Sequence, residues 1–212
     1  MINLEEFCNM FDINKQLGMW QNQYSINGPW ISNNRELTSL DIKDHLDGKS
    51  WIATRPRGVT AANVGTGASA RWLIVDIDDH GEKSDRYGPV ESRVATILRL
   101  FDKFTPIIFS SPTGKGKHIY FRYEREHSLK TSLHTIVNLC IQKNIMLAKN
   151  GIELLPYPTV FVRIPLGKMQ RLERFGNFVY HEPLTGVEAF IEIKSKWAEI
   201  VPLRPKELVV ED

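Results

Sequence analysis

The chain holds only two cysteines in 212 residues, Cys8 and Cys140, each isolated. That excludes a four-cysteine zinc site and offers no disulfide framework, so a reducing compartment, the cytoplasm, is the expected setting. Long apolar runs are missing too: nothing approaches the ~18 residues of a membrane span, and the N-terminal MINLEEF is acidic where a secretion signal would be basic. No membrane partner is expected. Nor is there an excess of charge, since 27 Lys and Arg against 25 Asp and Glu leave a net +2. Any nucleic-acid binding must then come from local basic patches. What remains, with 42% apolar residues, is enough for the core of one large or two small soluble domains.

Against that plain background one stretch stands out, Trp72-Leu73-Ile74-Val75-Asp76-Ile77-Asp78-Asp79, an apolar run that ends in three carboxylates. Side chains alternate across a strand, so Asp76 and Asp78 share one face while Leu73, Val75 and Ile77 share the other. Two carboxylates held side by side repel each other unless a cation sits between them, which points to a hard divalent ion, Mg2+ or Mn2+. The alternative is a strand that simply ends in a turn, since Asp79-His80-Gly81 has turn chemistry.

Residues 1–70 read as an N-terminal α/β layer. Leu4, Phe7 and Phe11 suggest a short amphipathic helix, Gly28-Pro29 breaks the chain, Thr38 to Asp41 resembles a capping box, and Trp51 to Thr54 reads as a strand. Arg55-Pro56-Arg57-Gly58 is then an exposed basic turn, and Asn63 to Ala70 is small and Gly-rich. Residues 71–167 form the regular part. After the acidic strand, Val90, Val94, Ile97, Leu98 and Phe101 recur at helical spacing behind Pro89. Ile107 to Ser110 and Lys117 to Tyr123 make a hairpin around Pro112-Thr113-Gly114-Lys115-Gly116. A helix capped by Ser128 runs to Lys149-Asn150-Gly151, and Ile152 to Leu155 and Val160 to Pro165 are two more strands. Residues 168–212 extend the same domain and can lead on to a further one.

The order from 71 to 155 is β-α-β-β-α-β, an α+β arrangement shared by ferredoxin-like and RRM-like domains. In that topology the first strand lies between the third and fourth, so His118 and Glu153 come to stand beside Asp76 and Asp78. Alternation puts Ile119, Phe121, Ile152 and Leu154 toward the helices and His118, Tyr120, Arg122 and Glu153 on the opposite, open face. Asp76, Asp78, His118 and Glu153 are expected to converge. Three carboxylates can hold two divalent ions for phosphoryl or nucleotidyl transfer. The loop Ser110 to His118, with Ser111, Thr113, Lys115, Lys117 and His118, offers hydroxyls, glycine N–H groups, lysines and an imidazole to a phosphate. It is not a Walker A loop, which leads into a helix.

These residues carry a resemblance. The run into Asp76-Ile77-Asp78, the small-residue loop leading to Lys117-His118-Ile119-Tyr120-Phe121, and the strand with Glu153 resemble, in order, motifs I, II and III of the archaeo-eukaryotic primase superfamily. The likeness is nearest to its primase-polymerase branch in plasmids, phages and mobile elements. It spans roughly residues 50 to 167, with Asn63-Val64-Gly65 and Val162 to Gly167 similar to flanking segments. The resemblance implies a primase-polymerase fold in which Asp76, Asp78 and Glu153 bind the catalytic metals and His118 contacts the triphosphate of an incoming NTP or dNTP. It implies a single-stranded DNA template and admits a helicase as fused domain or partner. Motif III is often Asp, so Glu153 is a departure with a longer reach. Some relatives carry a zinc module, which the two lone cysteines rule out here. Asp79 is left to a turn or to indirect support.

Arg163 alternates with Val162 and Ile164, and if its strand joins the acid-bearing sheet it faces the acids, either as a bidentate phosphate contact or as a salt-bridge partner of Glu153. Arg55, Arg57, Lys168, Arg171 and Arg174 could line a template path or simply be solvated. Phe175, Phe178, Tyr180 and Trp197 fit packing better than base stacking. Two other functions compete with a metal-dependent primase or primer-extending polymerase. An RRM-like single-strand binder without catalysis would need aromatics on the open face. A phosphatase of the haloacid dehalogenase type would need a parallel doubly wound sheet.

Overall fold

Asn3 starts the first element. Its side-chain oxygen accepts from the backbone N–H groups of Glu5 at 2.9 Å and Glu6 at 3.3 Å, two donors that a helix N-terminus leaves unpaired. Helix α1 (Leu4–Met10) follows. The computed structural model describes residues 2–13, 19–22, 31–33, 36–54, 67–111, 113–149, 151–156, 162–167 and 170–208, with backbone alone at 19–22, 31–33, 84–85 and 162–163. Strands β1 (Met19–Asn22) and β2 (Ile31–Asn33) come next. Helix α2 (Ser39–Leu46) opens on the predicted capping box, in which Thr38 and Asp41 each bond the other's backbone N–H. Strand β3 (Trp51–Thr54) closes this layer.

The regular part runs β4 (Ser69–Ile77), a short helix α3 (Glu82–Asp85), α4 (Val90–Leu100), β5 (Pro106–Ser110), β6 (Lys117–Ser128), α5 (Leu129–Gln142) and β7 (Ile152–Leu155). It is followed by β8 (Val162–Arg163), β9 (Arg171–Phe175), β10 (Phe178–Thr185) and α6 (Gly186–Ser195), then two 3-10 turns at Trp197–Glu199 and Pro205–Leu208. The main sheet has the order β10-β9-β5-β6-β4-β7 with every neighbouring pair antiparallel. The predicted β-α-β-β-α-β core and its central first strand are therefore present, in an α+β fold. An all-antiparallel sheet excludes the doubly wound architecture that a dehalogenase-type phosphatase requires.

Alternation sorts the core into two halves. Leu73, Val75, Ile77, Ile119 and Phe121 pack with Val94, Ile97 and Ile136 of α4 and α5. On the other face Trp72, Ile74, Phe109 and Tyr120 pack with Phe7, Phe11, Leu46 and Phe190. The second face is thus not open, as the sequence suggests, but roofed by α1, α2 and α6, which bury Tyr120 and Trp72. Among the described residues this leaves no aromatic platform on the central strands for stacking bases. The end of the face beyond Ile74 stays accessible, and there the acids lie.

Three further expectations need correction. β8 does not join the acid-bearing sheet; it pairs antiparallel with β3 in a smaller sheet of order β2-β1-β3-β8. Helix α5 stops at Gln142, well short of Lys149, because Asn144 takes a positive φ of 53° and turns the chain out of the helix. Ser128 holds the N-cap position of α5 but makes no side-chain cap bond. The C-terminal residues contribute two strands of the main sheet, with β9 paired to β5, a role their sequence does not announce.

Candidate active site

Asp76 is the register point of the site. Its cross-strand partners are His118 on β6 and Glu153 on β7, so an imidazole and a second carboxylate flank it on either side. Asp78 follows one step past the strand end. His118 Nε2 lies 3.3 Å from Asp76 Oδ1, yet that oxygen is buried and accepts no hydrogen bond. Burial first, and the charge of Asp76 second, push the Asp78 carboxyl above the ordinary carboxylate range. Glu153 is raised by burial and then by both aspartates. The acids therefore repel one another, as the sequence argument requires.

Three side chains that sequence reasoning passed over hold this corner. Arg93 sits on the buried stripe of α4, where its Nη1 donates to the carbonyls of Asp78 (2.8 Å) and Gly151 (2.7 Å) and its Nε to that of Gly88 (3.1 Å). It ties the end of β4 to the start of β7. The signal was legible in part: 90, 93, 94 and 97 share one helical face, and an arginine at 93 interrupts an otherwise apolar stripe. Gln170 is 1% exposed, with Nε2 at 2.9 Å from His118 Nδ1; with the amide donating, the ring carries its proton on Nε2, toward Asp76. His80 Nε2 is 3.0 Å from Asp78 Oδ2. Neither Gln170 nor His80 has a sequence signature, because each is recruited by chain folding or a turn.

The hairpin loop is pressed against the acids. A Cβ on Gly116 would stand 2.5 Å from the Ile77 carbonyl and 3.2 Å from the Asp78 Cα, so only glycine permits this approach. Ser111 is buried and works inside the loop, accepting from the Gly116 N–H (2.8 Å) and sharing a hydrogen bond with the Thr113 hydroxyl (3.0 Å). Lys115 is exposed. Lys117 is not brought to the acids: it lies one step from His118, on the opposite face, and its Nζ bonds Glu173 Oε2 at 2.6 Å.

Asp79 stays in the turn, accepting from the Gly81 N–H at 2.9 Å. Arg163 has its backbone in β8, opposite Ala53, so the condition that would face it toward the acids is not met. Arg171 is exposed beside Gln170, its backbone N–H bonded to Ser110 Oγ at 3.0 Å, and Arg174 Nε bonds the Gly176 carbonyl. Arg55, Arg57, Lys168 and the 63–65 segment lie outside the described residues. Phe175 is buried and Trp197 packs edge-on to Trp72, whereas Phe178 is exposed beneath Lys196.

Tested for a divalent cation, the corner fits by donor chemistry: carboxylate oxygens, one of them a buried orphan, in a cluster whose negative charges are mutually unfavourable. As the side chains stand, no three His, Cys, Asp or Glu groups among the described residues close into a ready coordination shell. No helix among them is long and apolar enough to cross a membrane.

No protein-family model matches the chain, and no curated protein matches it. Among solved structures it is similar to the polymerase domain from Mycobacterium tuberculosis ligase D in complex with DNA, at 14% identity and a TM-score of 0.40, over 84% of this chain and 71% of that one. At those values the likeness adds no weight to what the site's own geometry says.

Proposed function

We propose that this chain is a metal-dependent nucleotidyltransferase that makes or extends primers on single-stranded DNA from NTPs or dNTPs. The observation that supports the reading is the register of Asp76 between His118 and Glu153, which puts two acids and an imidazole side by side at the strand end that Gly116 of the hairpin approaches. Asp76, Asp78 and Glu153 would hold Mg2+ or Mn2+, and such ions supply the positive charge that steadies attacking and leaving oxygens in nucleotidyl transfer. The chain's own groups do the rest. His118, its Nδ1 engaged by Gln170, presents an Nε2–H donor at the edge of the acid cluster, where a phosphate oxygen would accept it. Lys115, exposed in the turn of the same hairpin, would offer a second cation. Gly116 lets the loop backbone lie against the strand end, so that donors and acids share one small volume. Arg93 positions the Asp78 and Gly151 backbone and touches no substrate.

The test is to incubate the protein with single-stranded DNA, labelled NTPs and dNTPs, and Mg2+ or Mn2+, with and without a primer. Labelled product from the parent and none from Asp76→Ala/Asp78→Ala supports the reading. No product under any combination, with DNA bound equally well by both proteins, removes it.

A further inference from the structure

The opposite end of β4 has the reverse chemistry. A cavity of about 790 Å³ opens there between α1, the β4–β6 ladder and the end of α6, with Arg71, Arg122, Lys194 and Trp197 among its walls. We infer that this cavity is a second anion site, built to take the phosphate group of a nucleotide or of a nucleic-acid strand. It does not depend on the activity proposed above.

The β4–β6 register shifts between Ala70 and Trp72, and Arg71 and Arg122, which strict alternation would send to opposite faces, line the same cavity. The Arg122 guanidinium lies 4.6 Å over the Trp197 ring. That indole is braced edge-on by Trp72, whose own N–H is fixed to the Met10 carbonyl at 2.9 Å. A guanidinium stacked in this way keeps its N–H edge free for a bidentate contact. The Arg71 Nε–H is buried and has no acceptor, an arrangement that costs free energy until an acceptor arrives. Burial and the neighbouring charge of Arg71 both weaken the hold of Arg122 on its proton.

The carboxylates nearby have bonds of their own. Glu6 is bonded to Lys194 at 2.7 Å, and Asp12 Oδ2 accepts from the Arg71 backbone N–H at 2.9 Å. Glu5, exposed in the first turn of α1, is the one other acid on the rim. Two guanidiniums lining one cavity call for a doubly charged tetrahedral anion, whose oxygens can serve both forks where a carboxylate serves one. The volume admits a nucleotide-sized ligand. Arg71 and Asp76 are five residues apart on one strand, roughly 16 Å, with the buried Trp72, Ile74 and Tyr120 between them, so this site is separate from the acids.

The decisive experiment is an NMR titration of the isotope-labelled full chain with sodium phosphate against sodium chloride of equal ionic strength, and then with a single-stranded oligonucleotide. The Arg71 Nε–H and Trp197 indole signals are expected to move with phosphate or oligonucleotide beyond the chloride control. Arg71→Gln/Arg122→Gln should weaken that binding by about tenfold or more, while Asp76→Asn leaves it intact. A response to inorganic phosphate assigns a free phosphate or nucleotide, and a response to the oligonucleotide alone assigns a strand backbone. Shifts no larger than with chloride for both probes, or binding unchanged in the double variant, overturn the inference. If the double variant does not fold, Arg71→Lys decides: it keeps the charge and loses the fork, and unweakened binding counts against the site.

Discussion

The two ends of β4 gather side chains of opposite charge. At the Ile77 end carboxylates gather with two imidazoles, His118 at 3.3 Å from Asp76 and His80 at 3.0 Å from Asp78; at the Ser69 end two guanidiniums line one cavity beside a register shift. Between them the strand is ordinary core, buried on both faces. A protein seeking only stability would have paired such groups across the strand or removed them, since like charges held together cost free energy. On the two proposals made above, the like-charged groups at each end of this strand have a use, cations at one end and anions at the other. The ends differ also in how they are held: backbone carbonyls gripped by Arg93 fix the acid end, whereas indole stacking fixes the basic end.

Breaking the acid end through its clamp gives the largest effect on stability. Arg93→Met removes three charged hydrogen bonds to backbone carbonyls and is expected to cost at least about 3 kcal/mol, read as a lowered midpoint in urea. The basic end should be untouched, with its phosphate response unchanged in the folded fraction. Acid provides a cut that falls on the roof over both ends. His45 is buried with Nε2 donating to the Pro165 carbonyl at 3.0 Å, and burial lowers its pKa from 6.5 to about 4 despite that bond. Between those values the unfolded chain binds the extra proton, so stability rises with pH across the window and about 3 kcal/mol is lost as pH falls from 6.5 to 4. His45→Gln should flatten that slope in urea titrations at stepped pH. Asp78 and Glu153, whose pKa values are raised, act in the opposite sense, their repulsion relaxing as they protonate.

Smaller changes sharpen the contrast. Gly116→Ala forces a methyl against the Ile77 carbonyl and should cost about 2 kcal/mol, with nucleotide KM rising because the loop is displaced from the acids. Asp78→Asn lifts part of the repulsion and should stabilise the protein by about 1 kcal/mol in the absence of divalent ions. Its thermal midpoint should then respond less to added Mn2+ than the parent's. A destabilised Asp78→Asn protein would mean that the acids are not strained against each other.

The strand that matters was legible because alternation is a local property: Leu73, Val75 and Ile77 against Asp76 and Asp78 can be read from a period of two. The convergence of His118 and Glu153 was legible through the β-α-β-β-α-β order, which makes non-adjacent strands neighbours. Arg163 went astray for a complementary reason. A two-residue strand carries no information on which sheet it joins, and β8 chose β3. The roof over Trp72 and Tyr120 was hidden because α6 arrives from residues 186–195, beyond any periodic cue in the core. Gln170 escaped because a buried amide bonded to an imidazole depends on where a loop passes. Arg71 and Arg122 share no cue in the sequence, because a register shift between Ala70 and Trp72 has no period to read.

The central claim is that the acid end of β4 performs nucleotidyl transfer, and Asp76→Asn tests it most directly because it removes one charge and almost no volume. Incorporation of labelled nucleotide on a single-stranded DNA template with Mn2+ should fall about a thousandfold, the loss expected when several kcal/mol of metal-borne charge stabilisation is withdrawn, while the melting temperature does not fall. A variant that incorporates nucleotide at the parental rate, or a parent that makes no product with either Mg2+ or Mn2+, would contradict it.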